Sequence, residues 1–203
     1  MKTAAKLSLF AALTLTPSWA VPILLPLPGH SSVFTGNVRG YWFEAPVDFS
    51  IVGLFIPTDA SSANMNIELL RLNSPPPLFS TTTNDFVSLF RTIDDASVDF
   101  VPVSIQVMAG DIIGVLGQRG TANSYGNGNF VTDIFGQSVT LRRLGQQFVL
   151  ADAPAHDVWT ESSGSISRVQ IQYDLATTVP EPATLWFCGA GLAAIALRRK
   201  LLR

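Results

Sequence analysis

The side chains best suited to acid–base chemistry in this sequence are its two histidines, His30 and His156. A hydrolase needs a nucleophile, a base and an orienting group, or a pair of carboxylates. His156 is followed by Asp157 and lies close to Trp159. Neighbouring residues of a strand point to opposite faces, so we expect His156 and Asp157 not to form a dyad. His30 falls in a predicted linker, and no Gly-x-Ser-x-Gly segment occurs. The sequence therefore predicts no catalytic residues.

Three carboxylates lie close together in the sequence, at Asp94, Asp95 and Asp99. Carboxylate oxygens are ligands that Ca²⁺ prefers, and jelly-roll domains often hold a structural calcium. This segment lacks the glycine and the terminal glutamate of an EF-hand loop. We expect a solvated acidic turn and no cofactor, with a structural calcium ion at these residues as the alternative.

Three aromatic side chains are candidates for sugar binding: Trp42, Tyr125 and Trp159. Trp42 lies in a predicted strand between two other aromatic residues, and strand alternation places it on the face opposite to both. Tyr125 falls in residues 117–129, a segment rich in Gly and Asn that predicts a surface loop. Aromatic side chains on strands pack into the core more often than they bind ligands, so core packing is the competing interpretation for the run at 41–43.

The elements that must position these side chains are strands, because apolar and polar residues alternate through most of residues 31–176. No segment between them has helical periodicity. We predict an all-β fold, a single antiparallel β-sandwich that is jelly-roll-like, preceded by a linker at residues 21–30. The predicted strands cover residues 38–43, 47–51, 53–56, 66–72, 86–93, 101–107, 111–116, 138–141, 146–150 and 166–175.

Charge and cysteine content exclude two further possibilities for this domain. No lysine lies between residues 21 and 182, where seven arginines against fifteen acidic residues give a formal charge of −8. Binding of nucleic acid depends on clustered Lys and Arg, so no nucleic-acid partner is expected. The one cysteine, Cys188, lies in the C-terminal apolar segment, so the domain has no disulfide.

Residues 1–20 have the three parts of a cleavable signal peptide. Lys2 and Lys6 form a positive start, residues 7–15 are apolar, and Pro17 precedes the small residues Ser18 and Ala20. We predict cleavage after Ala20 by signal peptidase. The alternative is a membrane anchor that continues past residue 20, although the prolines of this region disfavour one continuous helix.

The C-terminal residues 177–203 have a different three-part pattern. The motif Pro180, Glu181 and Pro182 precedes an apolar helix predicted at residues 183–197, and basic residues follow it. Fifteen helical residues span about 22 Å, less than the roughly 30 Å of a hydrocarbon core. The basic residues predict a cytoplasmic membrane stop, which leaves residues 21–180 outside. They are Arg198, Arg199 and Lys200.

On these residues the tail resembles the PEP-CTERM sorting signal of Gram-negative bacteria, which combines a Pro-Glu-Pro motif, a short Gly- and Ala-containing helix and an arginine-rich end. The resemblance implies recognition and cleavage by a membrane-embedded exosortase. It also implies association with organisms that produce exopolysaccharide and form biofilms. The alternative is an ordinary anchor that stays attached.

Together these features predict an exported protein that is anchored briefly in the inner membrane and then delivered to the cell surface or outside the cell. We expect a non-enzymatic surface or matrix protein whose partners are signal peptidase, exosortase and exopolysaccharide. A carbohydrate-binding module is the second hypothesis, and a secreted hydrolase is the third.

Overall fold

The computed structural model of the chain describes residues 21–175, which form strands and no α-helix and so confirm the predicted all-β class. In this range no helix has the length and apolarity that crossing a membrane requires. The strands, in chain order, are β1 (Ile23–Leu24), β2 (Ser32–Thr35), β3 (Arg39–Glu44), β4 (Phe49–Phe55), β5 (Met65–Leu72), β6 (Phe86–Asp95), β7 (Val101–Val107), β8 (Ile112–Arg119), β9 (Ala122–Gly126), β10 (Phe130–Ile134), β11 (Gln137–Gly145), β12 (Trp159–Thr160), β13 (Ile166–Ser167) and β14 (Gln170–Leu175).

Several predictions concern residues outside this range. The signal peptide at residues 1–20, the Pro180–Glu181–Pro182 motif, the membrane helix at residues 183–197 and the basic membrane stop all lie outside the described residues.

The strands form two antiparallel sheets. The small sheet has the order β1, β14, β4, β7, and the large sheet has the order β10, β11, β3, β8, β5, β6. Strand β9 pairs with β8, β2 and β13 beside the large sheet, and β12 pairs with β11. Consecutive strands are therefore often not neighbours, and the chain crosses between the sheets.

The main apolar cluster contains residues from both sheets. Phe49 and Ile51 of β4 and Tyr173 of β14 come from the small sheet, and Tyr41 and Ile67 come from the large one. All five are nearly inaccessible to solvent. Because side chains alternate along a strand, one face of each sheet supplies this cluster.

A second apolar cluster covers the other face of the large sheet. Leu70 and Leu72 of β5 pack there with Leu150 and Val158 from the covering connection, which we define as residues 146–158 between β11 and β12. Both faces of β5 are therefore buried, although β5 belongs to an antiparallel sheet.

The predicted strands agree with most of the observed ones. Residues 47–51 and 53–56 were predicted separately but contribute to one strand, β4, whose register with β7 shifts between Ile51 and Gly53. The predicted strand at 146–150 is wrong: backbone hydrogen bonds join Gln146 and Phe148 to Val38, but the segment then turns and buries Leu150 against the large sheet. The sequence predicts no strand at β2, β9, β10 or β12.

The predicted linker at residues 21–30 is also wrong, since this segment is part of the fold. Its strand β1 pairs with β14, and the Leu25 amide donates to the Ile171 carbonyl at 2.9 Å. The Leu25 side chain is fully buried in the main cluster. The apolar residues between the prolines of this segment form the edge of the small sheet.

Asp59 holds the end of this N-terminal segment in place. Its carboxylate pairs with Arg168, whose Nε donates to the Pro28 carbonyl at 2.9 Å, and it accepts a hydrogen bond from the Ser124 hydroxyl at 2.5 Å. Partial burial alone would raise the pKa of Asp59. The hydrogen bonds from Ser124 and Arg168 outweigh that effect and hold this pKa below its usual range.

Glu68 is a fully buried carboxylate at the centre of β5. It accepts hydrogen bonds from the Ser88 hydroxyl at 2.7 Å and from the Ala155 amide at 2.8 Å, and the Arg91 Nε lies 3.5 Å away. Arg91 also donates to the Leu150 carbonyl at 2.9 Å. Glu68 and Arg91 therefore fasten the covering connection to the large sheet.

Removing this carboxylate should destabilise the protein strongly. Glu68→Ala leaves the Ala155 amide and the Ser88 hydroxyl without their acceptor and Arg91 without its carboxylate partner, and we expect the free energy of unfolding to fall by about 2–4 kcal/mol. Urea denaturation measures the change. Glu44→Ala, which removes an exposed carboxylate from β3, is the matched control and should change stability by less than about 0.5 kcal/mol. Equal effects of the two substitutions would contradict the role given to Glu68.

The Asp59 contacts predict a dependence on pH. Because its pKa is lower in the folded state, Asp59 contributes stability above its unfolded pKa, and the contribution is lost as pH falls through the folded value. Asp59→Asn should therefore lower Tm at pH 7, and the two Tm values should converge at acid pH. Asp152→Asn, at an exposed turn, is the control and should leave Tm unchanged throughout. A Tm difference independent of pH would show that the charge of Asp59 is not what matters.

Candidate functional site

Trp42 is the sequence-predicted aromatic residue that reaches the surface. Tyr41 and Phe43 on either side of it point into the main cluster, so Trp42 lies on the opposite face of β3, as alternation predicted. Its indole Nε1 donates to the Thr160 hydroxyl at 3.0 Å, and that hydroxyl donates to the Arg143 carbonyl at 2.6 Å. These bonds fix the orientation of the ring.

A surface groove runs past Trp42 and consists of three adjoining depressions of about 350, 210 and 480 Å³. Trp42 and Arg142 line the first two depressions, and Leu78 and Glu161 line the second and third. We call this feature the Trp42 groove. It is open along its length, which suits an extended chain better than a compact small molecule.

The charged side chains of the groove differ in how they are paired. Glu161 forms an ion pair with Arg143 at 2.8 Å. Arg142 is exposed, and within residues 21–175 it forms no salt bridge. Its guanidinium carbon lies 5.6 Å from the centre of the Trp42 ring. The groove thus offers one aromatic ring beside one cation that has hydrogen-bond donors to spare.

This combination can bind a sugar. An indole face packs against the apolar face of a pyranose ring, and a guanidinium donates to hydroxyl or carboxylate oxygens. Ser138 and Thr140 from β11 add hydroxyl groups at one end of the groove, and Asn129 lines its middle depression. Because Arg142 lies over the Trp42 ring, a bound sugar must move that side chain aside or bind at the ring edge.

The other two predicted sugar-binding aromatics are buried, so their rings are not free to stack on a ligand. Tyr125 is 9% exposed and Trp159 is 1% exposed. Tyr125 lies on β9 rather than on a surface loop, and its ring stacks on Phe34 at 5.6 Å. The guanidinium of Arg143 lies over both rings, 5.6 Å from Tyr125 and 6.0 Å from Trp159. The structure groups these two residues together, apart from Trp42.

Arg39 completes this interior group, and no sequence pattern indicated it. Its guanidinium carbon lies 5.1 Å from the Phe34 ring and 4.9 Å from the Trp159 ring, and Nη1 donates to the Gln146 carbonyl at 2.6 Å. Burial lowers the pKa of Arg39 from its usual value. Aromatic faces stabilise this buried cation in place of a carboxylate, so the group is part of the core.

His156 and Asp157 do form a contact, which corrects the sequence prediction. The Nδ1 of His156 lies 3.1 Å from a carboxylate oxygen of Asp157. The two residues precede β12, and Asp157 has a φ of 50°, so strand alternation does not apply. Hydrogen bonds from His156 and Asn84 lower the pKa of Asp157, and the bond from His156 has the larger effect. The imidazole packs against Phe148 with the ring centres 3.9 Å apart and the rings tilted by 36°, and no hydroxyl in the described range binds it.

The structure places Asp94 and Asp95 at the end of β6 and Asp99 in the connection to β7, and all three carboxylates accept hydrogen bonds from protein groups. Asp94 accepts a hydrogen bond from the side-chain amide of Asn64 at 3.0 Å. Asp95 accepts one from the backbone amide of Ser97 at 2.9 Å, and Asp99 accepts one from the backbone amide of the residue that follows it. Among residues 21–175 no group of three or more His, Cys, Asp or Glu side chains is placed to hold a metal ion.

One further constellation contains Ser, His and Asp, and the sequence did not indicate it. His30 Nδ1 lies 3.1 Å from the Ser124 hydroxyl, which donates to Asp59. In a catalytic triad the carboxylate binds the imidazole and leaves the hydroxyl free to attack. Here the carboxylate binds the hydroxyl, and Ser124 is fully buried. These residues fasten the N-terminal segment instead.

Comparisons with known proteins identify the tail and leave the domain without a relative. No curated protein and no solved structure matches this chain, and no family matches the central domain. Residues 178–200 match the family described as the PEP-CTERM protein-sorting motif. The chain therefore carries a PEP-CTERM sorting motif, as its resemblance predicted, and this motif implies an exported protein that an exosortase sorts.

Proposed function

We propose that this chain is a non-enzymatic surface or extracellular-matrix protein of a Gram-negative bacterium, released from the inner membrane by an exosortase. The observation that carries the proposal is the sorting motif at residues 178–200, which begins three residues after the last residue of β14, Leu175. The folded domain therefore leads almost directly into the segment that is processed.

Two features of the domain support a structural role. Its two antiparallel sheets share one apolar cluster, which supports a jelly-roll-like β-sandwich. The polar groups best suited to acid–base chemistry are engaged in fixing loops: Glu68 binds the covering connection, Asp59 holds the N-terminal segment, and His156 packs on Phe148.

The tail itself provides the first test. Pro180 and Pro182 resist helix continuation, and Glu181 is too polar to enter hydrocarbon, so the motif should stay extended outside the bilayer where a protease can bind it. In a host with exosortase, intact-mass measurement should find a product that lacks residues 1–20 and the segment from about residue 183. Glu181→Ala should leave the domain folded and the tail attached.

Thr177→Ala, which changes a residue outside the matched motif, is the control and should be processed normally. Finding the full-length C-terminus on the mature surface protein of the unmodified host would show that the tail is a plain anchor, and the sorting proposal would fail.

A second function, binding of exopolysaccharide, is favoured by the Trp42 groove. It combines a partly exposed indole with a guanidinium that forms no salt bridge within residues 21–175, in an open channel, which suits a polymer of neutral or acidic sugars.

Trp42→Ala should weaken binding of the purified protein to the host's polysaccharide by roughly tenfold, because it removes the stacking surface. Affinity electrophoresis in gels that contain the polysaccharide measures the change. Val87→Ala removes an exposed apolar side chain of β6 outside the groove and should have no effect. Undiminished binding by the Trp42 variant would exclude the groove as the sugar site.

A further inference from the structure

Both ends of the described chain leave the domain at the same place. In the small sheet β1 pairs antiparallel with β14, with Ile23 opposite Tyr173 and Leu24 opposite Gln172. Continuing this register by two residues places Val21 opposite Leu175. The chain that enters the domain and the chain that leaves it are therefore side by side at one end of the small sheet.

Exposed apolar side chains concentrate at this end. Twelve large apolar residues are exposed in the described range, and five of them lie here. Met108 lies at the same end, because three neighbouring strands end there. Leu175 of β14 pairs with Phe49 of β4, Phe49 pairs with Val107 of β7, and Met108 follows Val107. We call the five residues the exit surface: Val21, Ile23, Leu24, Met108 and Leu175, which are between 43% and 83% exposed.

The tail brings the exit surface close to a membrane. Seven residues, 176–182, lie between Leu175 and the start of the predicted membrane helix at residue 183. Fully extended, the eight Cα–Cα steps across them reach at most about 29 Å. A tether this short holds the exit surface at millimolar effective concentration next to the bilayer, so even a weak contact with lipid is populated.

We propose that the exit surface contacts the lipid headgroup region while the tail is attached. This proposal rests on the proposed function, because it requires the tail to be inserted in a membrane. Insertion of apolar side chains at the boundary of the headgroups and acyl chains supplies the attraction. Once the tail is cut, the tether is lost and the domain leaves the surface.

The charges at the same end specify the kind of lipid. Asp48 and Asp174 directly precede Phe49 and Leu175, while Asp111 is paired with Arg71 at 3.1 Å. Asp48 and Asp174 each accept a hydrogen bond from a backbone amide but form no salt bridge within residues 21–175. Their two negative charges exceed the one positive charge that cleavage after Ala20 would leave on the Val21 amino group, so anionic headgroups repel this end of the domain. The exit surface should therefore lie closer to a bilayer of zwitterionic phosphatidylcholine than to a bilayer rich in anionic phosphatidylglycerol.

Fluorescence quenching by lipids tests the contact directly. The tail-bearing protein is purified from a host without exosortase, with Cys188→Ala to remove its one thiol, and reconstituted into phosphatidylcholine vesicles that contain a headgroup-quenching lipid. A polarity-sensitive dye is attached at Pro22→Cys, beside the exit surface, or at Val98→Cys as the control. Val98 is 93% exposed and precedes β7 at the opposite end of the small sheet.

Quenching at position 22 should exceed quenching at position 98 by at least about twofold. Adding Leu24→Ser and Leu175→Ser, or replacing half of the lipid with phosphatidylglycerol, should reduce the difference. If the protein floats with the vesicles but quenching is equal at the two positions, the proposed lipid contact is wrong and the proposed function still stands. Self-quenching at position 22 that rises with protein density would identify a second copy as the occupant and also overturn it.

Flotation of the vesicles tests the proposed function separately. Protein that does not float with vesicles has a tail that does not insert, which contradicts membrane anchoring and with it the lipid contact. Protein that floats confirms the anchor, and the quenching then decides the proposal.

Discussion

The large sheet must bury both of its faces, and most other features of this domain follow from that requirement. Ile67 and Leu69 of β5 face the small sheet, while Leu70 and Leu72 face away from it. An antiparallel sheet can leave one face in water, but this one is too apolar on both sides to do so. The covering connection supplies the missing layer. Because it has no strand ladder with β5, its attachment to β5 comes from the buried carboxylate of Glu68, while further hydrogen bonds join it to Val38, Thr83 and Asn84. Residues 21–175 contain no cysteine that could replace this bond by a disulfide.

Strands with one polar face were predictable because apolar and polar residues alternate along their sequences. Residues 101–107 alternate along their length and form β7 with the predicted bounds. Strand β9 was missed for a physical reason: Asn123 and Ser124 are polar but fully buried, and their hydrogen bonds bind Phe34, Arg39 and Asp59. A polar, Gly-flanked segment predicts a loop unless its distant partners are known. The antiparallel sheets were predictable as a class, but their strand order depends on contacts across the whole chain.

The candidate site was predictable only in part, for a related reason. Alternation alone placed Trp42 on an outer face. The groove around it also needs Leu78, Arg142 and Glu161, which come from three distant segments and meet only in the folded chain. Trp159 lies in a polar neighbourhood of the sequence, yet its ring packs against Phe79 at 5.0 Å and is covered by arginines. By contrast, the sorting tail is read as a linear peptide, so its residues were sufficient to identify it.

Because the first strand, β1, pairs with the last strand, β14, the two ends of the domain lie next to each other. Paired strands lie about 4.8 Å apart, so a short peptide could join β14 to β1 without disturbing either sheet. New ends could then be opened in an exposed turn, such as the one around Val98 between β6 and β7, to give a circular permutant that keeps the contacts of both sheets. For the same reason, the domain could be inserted into a loop of another protein without forcing the two sides of that loop apart. The same strand pairings could therefore form from a chain in which the strands follow one another in a different order.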